Sequence, residues 1–168
     1  MQPPAQAEDL DDLFQRGYRY AIALTHEPDR AADLVQDACV ACLAAQAPWR
    51  VGYFFAAIRS RFIDQQRRQR LVVVEPIGSQ DELARVGSFT DPRDEELVQA
   101  DRDSLDRALG RLRAEEREML FLSAVEGYTA REIAELTGHP RGTILSAVHR
   151  ARRKIRDLLQ PLEVGKKS

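Results

Sequence analysis

The sequence lacks the features that define several classes of protein. It has two cysteines among 168 residues, Cys39 and Cys42, which are too few for a disulfide framework. The longest apolar run, from Ala38 to Ala45, is far shorter than the roughly 20 residues needed to cross a bilayer. The first residues have no basic segment followed by an apolar one, so we expect no secretory signal. These absences predict a soluble protein of the cytoplasm.

Neither sign of charge dominates the whole chain. Lys and Arg number 25 and Asp and Glu number 27, which gives a formal net charge of −2. The charges are segregated, however: residues 50–70 carry +5 and residues 141–156 carry +6, whereas residues 1–49 and 75–118 are acidic. Two compact basic blocks of this kind are typical of surfaces that bind nucleic acid.

Strand patterns are nearly absent, and apolar residues recur mainly at helical spacing. We therefore predict an all-α fold of two small helical domains joined by a flexible acidic linker. The predicted segments are a first domain over residues 1–70, a linker over 71–100, a helix-turn-helix domain over 101–160 and a tail over 161–168. At the start of the linker, Leu71 to Val74 are expected to form a short extended piece.

The predicted helix over residues 51–70 has two distinct faces. Its apolar residues follow the spacing of a buried stripe: Val51, Phe55, Ile58 and Phe62. The opposite face carries an aromatic residue among polar and basic ones: Tyr53, Ser60, Asp64 and Arg67. An exposed aromatic side chain beside arginines suits stacking on unpaired bases. Trp49, just before the helix, either stacks on a base in the same way or closes the core of the domain.

The last third of the chain carries the signals of a helix-turn-helix. Thr129 and Glu132 form a capping box at the start of a short helix, and Gly138 stands where a helix ends in a left-handed residue. A longer helix is predicted over residues 141–159, with six positive charges and no acid as far as Arg156. In such a motif the second helix enters the major groove of DNA, although a basic helix on the surface of a bundle would carry the same charge.

Taken in order, these segments resemble the extracytoplasmic-function sigma factors, the small bacterial sigma subunits of RNA polymerase. Residues 126–144 and 149–152 resemble the family's region 4, which binds the −35 promoter element as duplex DNA. Asp33 to Asp37 resembles the region 2 helix that docks on the polymerase, and Ile58 to Arg68 resembles the helix that engages the melted −10 element. The resemblance covers residues 10–159, nearly the whole chain.

The resemblance implies an alternative sigma factor that binds core RNA polymerase, recognises −35 duplex and melted −10 promoter DNA, and directs transcription initiation. The implied partners are core RNA polymerase, promoter DNA and an anti-sigma factor. No catalytic or nucleotide-binding motif occurs, so we expect no enzymatic activity and no cofactor. Two alternatives remain: a sigma-like decoy that binds an anti-sigma factor without starting transcription, and a helix-turn-helix regulator that acts without the polymerase.

The resemblance also implies which residues form each site. Contacts with the −35 element fall on the second helix of the helix-turn-helix, at Arg141, Thr143, Ser146, His149, Arg150 and Arg153. Contacts with single-stranded −10 DNA fall at Trp49, Tyr53, Arg59, Ser60, Asp64, Arg67 and Arg68. Contacts with core polymerase fall at Asp33, Leu34, Gln36 and Asp37.

Three positions depart from the family's pattern. The family usually has basic residues where this chain has Leu145 and Ala147, and often asparagine where it has Ser60. The loss of two cations predicts weaker binding of the −35 element and a flatter dependence on salt. Cys39 and Cys42 have the spacing of a metal-binding pair, but no second ligand pair accompanies them, so we expect buried thiols rather than a metal site.

Overall fold

The computed structural model describes residues 9–72 and 102–160, in which every regular element is a helix. The helices are α1 (Leu10–Thr25), α2 (Pro28–Ala44), α3 (Val51–Val72), α4 (Arg102–Gly110), α5 (Ala114–Ala124), α6 (Ala130–Thr137) and α7 (Arg141–Leu159). The chain divides into two compact units, Met1–Glu82 and Leu83–Ser168. The predicted all-α fold is confirmed for the described residues.

The predicted linker lies almost wholly outside the described residues, as does the predicted tail. Its first two residues, Leu71 and Val72, form the end of α3, so the prediction of an extended piece is wrong for them. Neither glycine nor proline follows Arg70 in this stretch, and the helix therefore continues. Both side chains are exposed. Val73 and Val74 lie outside the described residues.

In the first unit, the three helices all pack against one another. α1 and α3 supply most of the large buried side chains, among which Tyr20 stacks on Phe55 with ring centroids 4.5 Å apart. The buried residues of α3 include the four that the spacing predicted: Val51, Phe55, Ile58 and Phe62. One side of α3 is therefore fixed in the core, which leaves the other side for solvent or a partner.

Local sequence sets the ends of α1 and α2. The carboxylate of Asp9 accepts a hydrogen bond from the backbone N–H of Asp11 at 3.1 Å and so caps the start of α1. α1 ends at His26, whose φ of 54° is left-handed and whose N–H donates to the carbonyl of Ile22. Pro28 is the first residue of α2, since its fixed φ suits a first helical position.

In the second unit, α7 is the central helix and packs against α4, α5 and α6. The core of this unit consists mainly of aliphatic side chains from α5, α6 and α7: Met119, Leu122, Ile133, Ile144, Val148 and Ile155. These neighbours bury one side of α7, and none of the basic residues of this helix is buried.

Candidate nucleic-acid interface

The turn before α7 forms as the capping signals predicted. The hydroxyl of Thr129 accepts a hydrogen bond from the N–H of Glu132 at 3.3 Å, and the Glu132 carboxylate accepts the N–H of Thr129 at 2.7 Å. The pKa of Glu132 is lowered mainly by the hydrogen bond from the Thr129 backbone N–H and to a smaller extent by the one from the Thr129 hydroxyl. Gly138 ends α6 with a φ of 75°, and α7 begins at Arg141. The predicted helix-turn-helix is confirmed.

α7 has one buried side and one side turned away from the core. The five buried residues follow helical spacing: Ile144, Ala147, Val148, Ala151 and Ile155. None of the six residues predicted to contact the −35 element is buried. The exposed members of that set are Arg141, Thr143, His149 and Arg153, and the half-buried members are Ser146 and Arg150. The surface formed by these six residues is called the α7 face below.

Ala147 does not lie on the α7 face. Its side chain is 1% exposed and belongs to the core of the second unit. The prediction that a missing cation at position 147 weakens DNA binding is therefore wrong, because a basic side chain there would enter the core rather than reach a phosphate. Leu145 is half-buried, so the corresponding prediction for that position still stands.

Sequence reasoning missed the role of Glu116, a glutamate on α5 that is only 3% exposed. Both of its carboxylate oxygens accept hydrogen bonds from Nζ of Lys154, each at 2.8 Å. The same carboxylate lies 3.8 Å from Nε of Arg150 and accepts the N–H of Arg113 at 3.1 Å. Thirty-eight positions separate Glu116 from Lys154, so no local pattern in the sequence indicates this pairing.

The outer side of α3 carries the basic face of the first unit. Tyr53 is 46% exposed. The other residues of α3 predicted to contact the −10 element are exposed or half-buried, namely Arg59, Ser60, Asp64, Arg67 and Arg68. With Tyr53 they form what is called the α3 face below, which combines an aromatic ring with a net positive charge.

Trp49 lies in an aromatic cluster rather than on the α3 face. Its ring meets those of Phe14 and Phe54 edge to face, with centroids 5.8 Å and 6.1 Å away. Phe14 and Phe54 also meet each other, with centroids 5.8 Å apart. Trp49 is half-buried, so this packing accounts for one side of the indole. The packing matches the alternative in which Trp49 closes the core of the domain.

The residues predicted to bind polymerase separate into two groups on α2. Asp33, Gln36 and Asp37 are exposed on one side of the helix. Leu34 is fully buried, and its side chain packs in the core of the first unit, so it is not available to a partner.

Two exposed apolar residues of α2, which sequence reasoning missed, extend the same side. Val40 is 62% exposed and Leu43 is 64% exposed. Their helical spacing from Gln36 was the signal that could have found them, since residues three to four apart share a face. Together with Asp33, Gln36 and Asp37 they form what is called the α2 face below.

Cys42 is buried as predicted, and Cys39 is half-buried. Desolvation by burial raises the pKa of both thiols, and the neighbouring Cys42 raises that of Cys39 further. A raised pKa favours the unreactive thiol over the thiolate. Within residues 9–72 and 102–160, no three His, Cys, Asp or Glu side chains gather as a metal-binding group.

None of the helices in the described parts of the chain combines the length and apolar character needed to span a membrane.

Comparison with known proteins places both units in one family. Residues 102–155 match the family model for sigma-70, region 4. The ECF RNA polymerase sigma factor SigL of Mycobacterium tuberculosis is 32% identical over 155 residues, which cover 88% of this chain and 84% of SigL. The ECF RNA polymerase sigma factor EcfG of Rhodopseudomonas palustris is 29% identical over 145 residues, which cover 83% of this chain and 77% of EcfG.

A solved structure is also similar to this chain. It is the sigma factor RpoE from Bartonella quintana, crystallised in complex with the anti-sigma factor NepR. The similarity has a TM-score of 0.66 at 27% sequence identity, and it covers 90% of this chain and 94% of RpoE.

Proposed function

Because this chain belongs to the extracytoplasmic-function family of RNA polymerase sigma factors, we propose a distinct role for each of its three exposed faces in transcription initiation. The chain is an alternative sigma factor that directs RNA polymerase to promoters. Its partners are core RNA polymerase and promoter DNA. The family regulates transcription, so we infer that the chemistry of RNA synthesis belongs to the polymerase and that this chain acts in the cytoplasm, where the chromosome lies.

The α7 face binds the −35 element as duplex DNA. It follows a helix-turn-helix turn, and its exposed residues include Arg141, His149 and Arg153. Residues near the start of such a helix contact base edges in the major groove, whereas arginines further along suit phosphate. This proposal extends the region 4 match over residues 102–155 to individual side chains.

The α3 face binds the −10 element as a single strand. Tyr53 offers an exposed ring on which an unpaired base can stack, and Arg59, Arg67 and Arg68 supply positive charge for the backbone. Stacking on an aromatic ring requires a base that has left the duplex. The α3 face is therefore suited to melted rather than double-stranded DNA.

The α2 face binds core RNA polymerase. Its acidic residues Asp33 and Asp37 adjoin the exposed apolar residues Val40 and Leu43. Exposed apolar side chains beside charges are a common composition for the contact area of a dissociable protein complex. The negative charge also keeps this face from competing with the α3 face for DNA.

An anti-sigma factor is the proposed regulatory partner. The sigma factor RpoE, which resembles this chain over most of its length, was crystallised with the anti-sigma factor NepR. An anti-sigma factor that covers the α2 face would compete directly with the polymerase for this chain.

The decoy hypothesis loses part of its support. It depended on the absence of cations at Leu145 and Ala147, and Ala147 is a core residue. A regulator that acts without the polymerase does not account for the similarity of the first unit to sigma factors.

The observation that carries the proposal is the similarity to SigL across 88% of this chain, which includes both units. Run-off transcription tests it. Core polymerase plus this chain should initiate at promoters located by sequencing the DNA that the chain binds in cells, and core polymerase alone should not. Absence of any sigma-dependent transcript would contradict the proposal and favour the decoy.

Two substitutions on α2 then test the polymerase surface. Asp37→Arg should weaken binding to core polymerase and reduce the transcript while leaving the unfolding transition unchanged. Leu34→Ala should instead lower the stability of the first unit by about 2–5 kcal/mol, because it leaves a cavity in the core. An Asp37→Arg protein that binds core polymerase as tightly as the wild type would remove the α2 face from the proposal.

A further inference from the structure

We propose that Glu116 is a positioning residue for DNA recognition, which holds the Arg150 guanidinium at the edge of the α7 face. This inference rests on the proposed function of that face. Glu116 itself lies on α5 and is buried. It acts through Arg150, which the resemblance to the family implies as a contact with the −35 element.

The Glu116 carboxylate is held firmly from two directions. The N–H of Arg113 donates to Oε2 at 3.1 Å at the start of α5, and Nζ of Lys154 donates to both oxygens at 2.8 Å from α7. Charge-assisted hydrogen bonds of this length are the strong ones, and low exposure reduces screening by solvent. The carboxylate is therefore a fixed negative charge between α5 and α7.

Arg150 lies one helical turn before Lys154, so both side chains leave α7 along the same edge. Nε of Arg150 is 3.8 Å from Oε1 of Glu116. The approach of this ion pair is through Nε, and at 3.8 Å it is an electrostatic attraction rather than a hydrogen bond. Because the guanidinium is planar with a fixed fork of donors, restraining it at Nε also restrains the two terminal nitrogens.

A restrained arginine favours specificity over general attraction. Two parallel hydrogen bonds from its terminal nitrogens to one guanine discriminate between bases only if the fork is correctly oriented. The nearby carboxylate also reduces the pull of Arg150 on any phosphate, which lowers non-specific binding. Glu116 thus raises the ratio of the affinity for the specific duplex to the affinity for non-specific DNA, rather than the affinity for DNA in general.

The test measures that ratio for the full chain assembled with core polymerase at one fixed salt concentration. The two probes are a duplex that the wild-type assembly selects from a randomised pool and a scrambled duplex of the same composition. Glu116→Gln keeps an oxygen for the Arg113 N–H but removes the charge. We expect it to lower the ratio about tenfold, the value of one lost bidentate base contact, while binding to the scrambled duplex is unchanged or tighter.

Glu115→Gln is the matched control. Glu115 is the adjacent residue of α5, is exposed, and approaches His139 at 3.8 Å rather than Arg150. Its substitution changes the net charge by the same amount and should leave the ratio unchanged. If Glu115→Gln lowers the ratio equally, the effect comes from the overall field and the proposal is overturned.

Arg150→Lys supplies a second variant that does not alter the buried carboxylate. Lysine keeps the positive charge but lacks the planar guanidinium, so Arg150→Lys should lower the ratio of specific to non-specific affinity as Glu116→Gln does. The double variant should lower this ratio no further than either single variant. A wild-type ratio for Arg150→Lys overturns the proposal even if Glu116→Gln proves too unstable to measure.

An equal loss of affinity for both duplexes in Glu116→Gln would mean that Glu116 only supports the fold, and would overturn the proposal. A wild-type assembly that selects no sequence contradicts the proposed function itself.

Discussion

The ring of Phe54 lies directly against Gly17, at the crossing of α3 and α1. A β-carbon built on Gly17 would clash with Cε1 of Phe54, so that something would have to move. Phe54 is 1% exposed and packs against Phe14 and Trp49, so its ring has no free space to enter. The absence of a side chain at Gly17 is therefore what allows the two helices to approach.

Gly17→Ala should destabilise the first unit by about 1–3 kcal/mol, the usual cost of overpacking a core. Urea unfolding followed by the fluorescence of Trp49, the single tryptophan, reports on this unit. Gly52→Ala is the control, because a β-carbon there meets nothing within 4 Å and alanine favours a helix. Equal stability of Gly17→Ala and the wild type would show that α1 and α3 can shift to make room for the added methyl group.

Tyr53 and Trp49 should respond differently to truncation. Tyr53→Ala removes an exposed ring and should weaken binding of single-stranded −10 DNA roughly tenfold, the cost of one lost stacking contact, with little change in stability. Trp49→Ala removes a ring that packs on Phe14 and Phe54, and should lower stability by on the order of 2 kcal/mol. Binding is measured by fluorescence anisotropy of the assembly with core polymerase, and stability by circular dichroism. Tight binding by Tyr53→Ala would argue against stacking on this ring.

Two lysine substitutions on α7 should have opposite outcomes. Leu145→Lys adds a cation beside the α7 face and should strengthen duplex binding, with a salt dependence steeper by about one unit of log–log slope. Ala147→Lys places a charge in the core and should unfold the second unit. The measurements are duplex affinity over a series of salt concentrations and thermal unfolding. Unchanged affinity and slope for Leu145→Lys would place residue 145 away from the DNA.

The capping box should make the second unit more stable at neutral than at acidic pH. The pKa of Glu132 is lowered in the folded chain. The ionised carboxylate therefore stabilises the folded state fully at pH values above the ordinary glutamate pKa. That contribution is lost as the pH falls through the lowered value. The stability difference between wild type and Glu132→Gln should therefore shrink on acidification. Urea unfolding at several pH values tests this.

Glu135→Gln is the control for that experiment. Glu135 lies on the same helix, is exposed, and pairs with Arg131 at 3.2 Å rather than with a helix end. Its substitution removes the same charge without touching the cap. If the difference in unfolding free energy between wild type and Glu132→Gln stays constant with pH, the carboxylate does not stabilise the cap through its charge.

Local and periodic features of this chain could be predicted because their causes lie within a few residues. The capping box at Thr129, the left-handed Gly138 and the proline start of α2 at Pro28 each depend on near neighbours in sequence. The buried stripe of α3 follows from helical spacing, which places Phe55 and Ile58 on one side. The resemblance to sigma factors rested on the order of such segments, and the comparisons bear it out.

Side-chain roles that depend on distant residues could not be predicted in this way. The resemblance placed Leu34 and Ala147 among surface residues, whereas both are buried. Neither the resemblance nor local sequence shows which neighbouring helix covers a given position. Similarly, the sequence does not decide between base stacking and packing for Trp49, whose position against Phe14 is set by the fold.

By itself, the amino-acid sequence determined the proline start of α2, the capping box and the glycine end of α6, the apolar and basic sides of α3 and α7, and the family to which the chain is related. Each of these follows from interactions or patterns between residues close together along the chain. The tertiary structure decided which cations of α7 approach a buried carboxylate. Lys154 is bound by Glu116 and Arg150 lies 3.8 Å from it, although no neighbour in the sequence marks these two among the six cations of α7. That distinction exists only because folding brings a buried carboxylate within reach of one edge of the helix, and Coulomb interactions depend on distance in space.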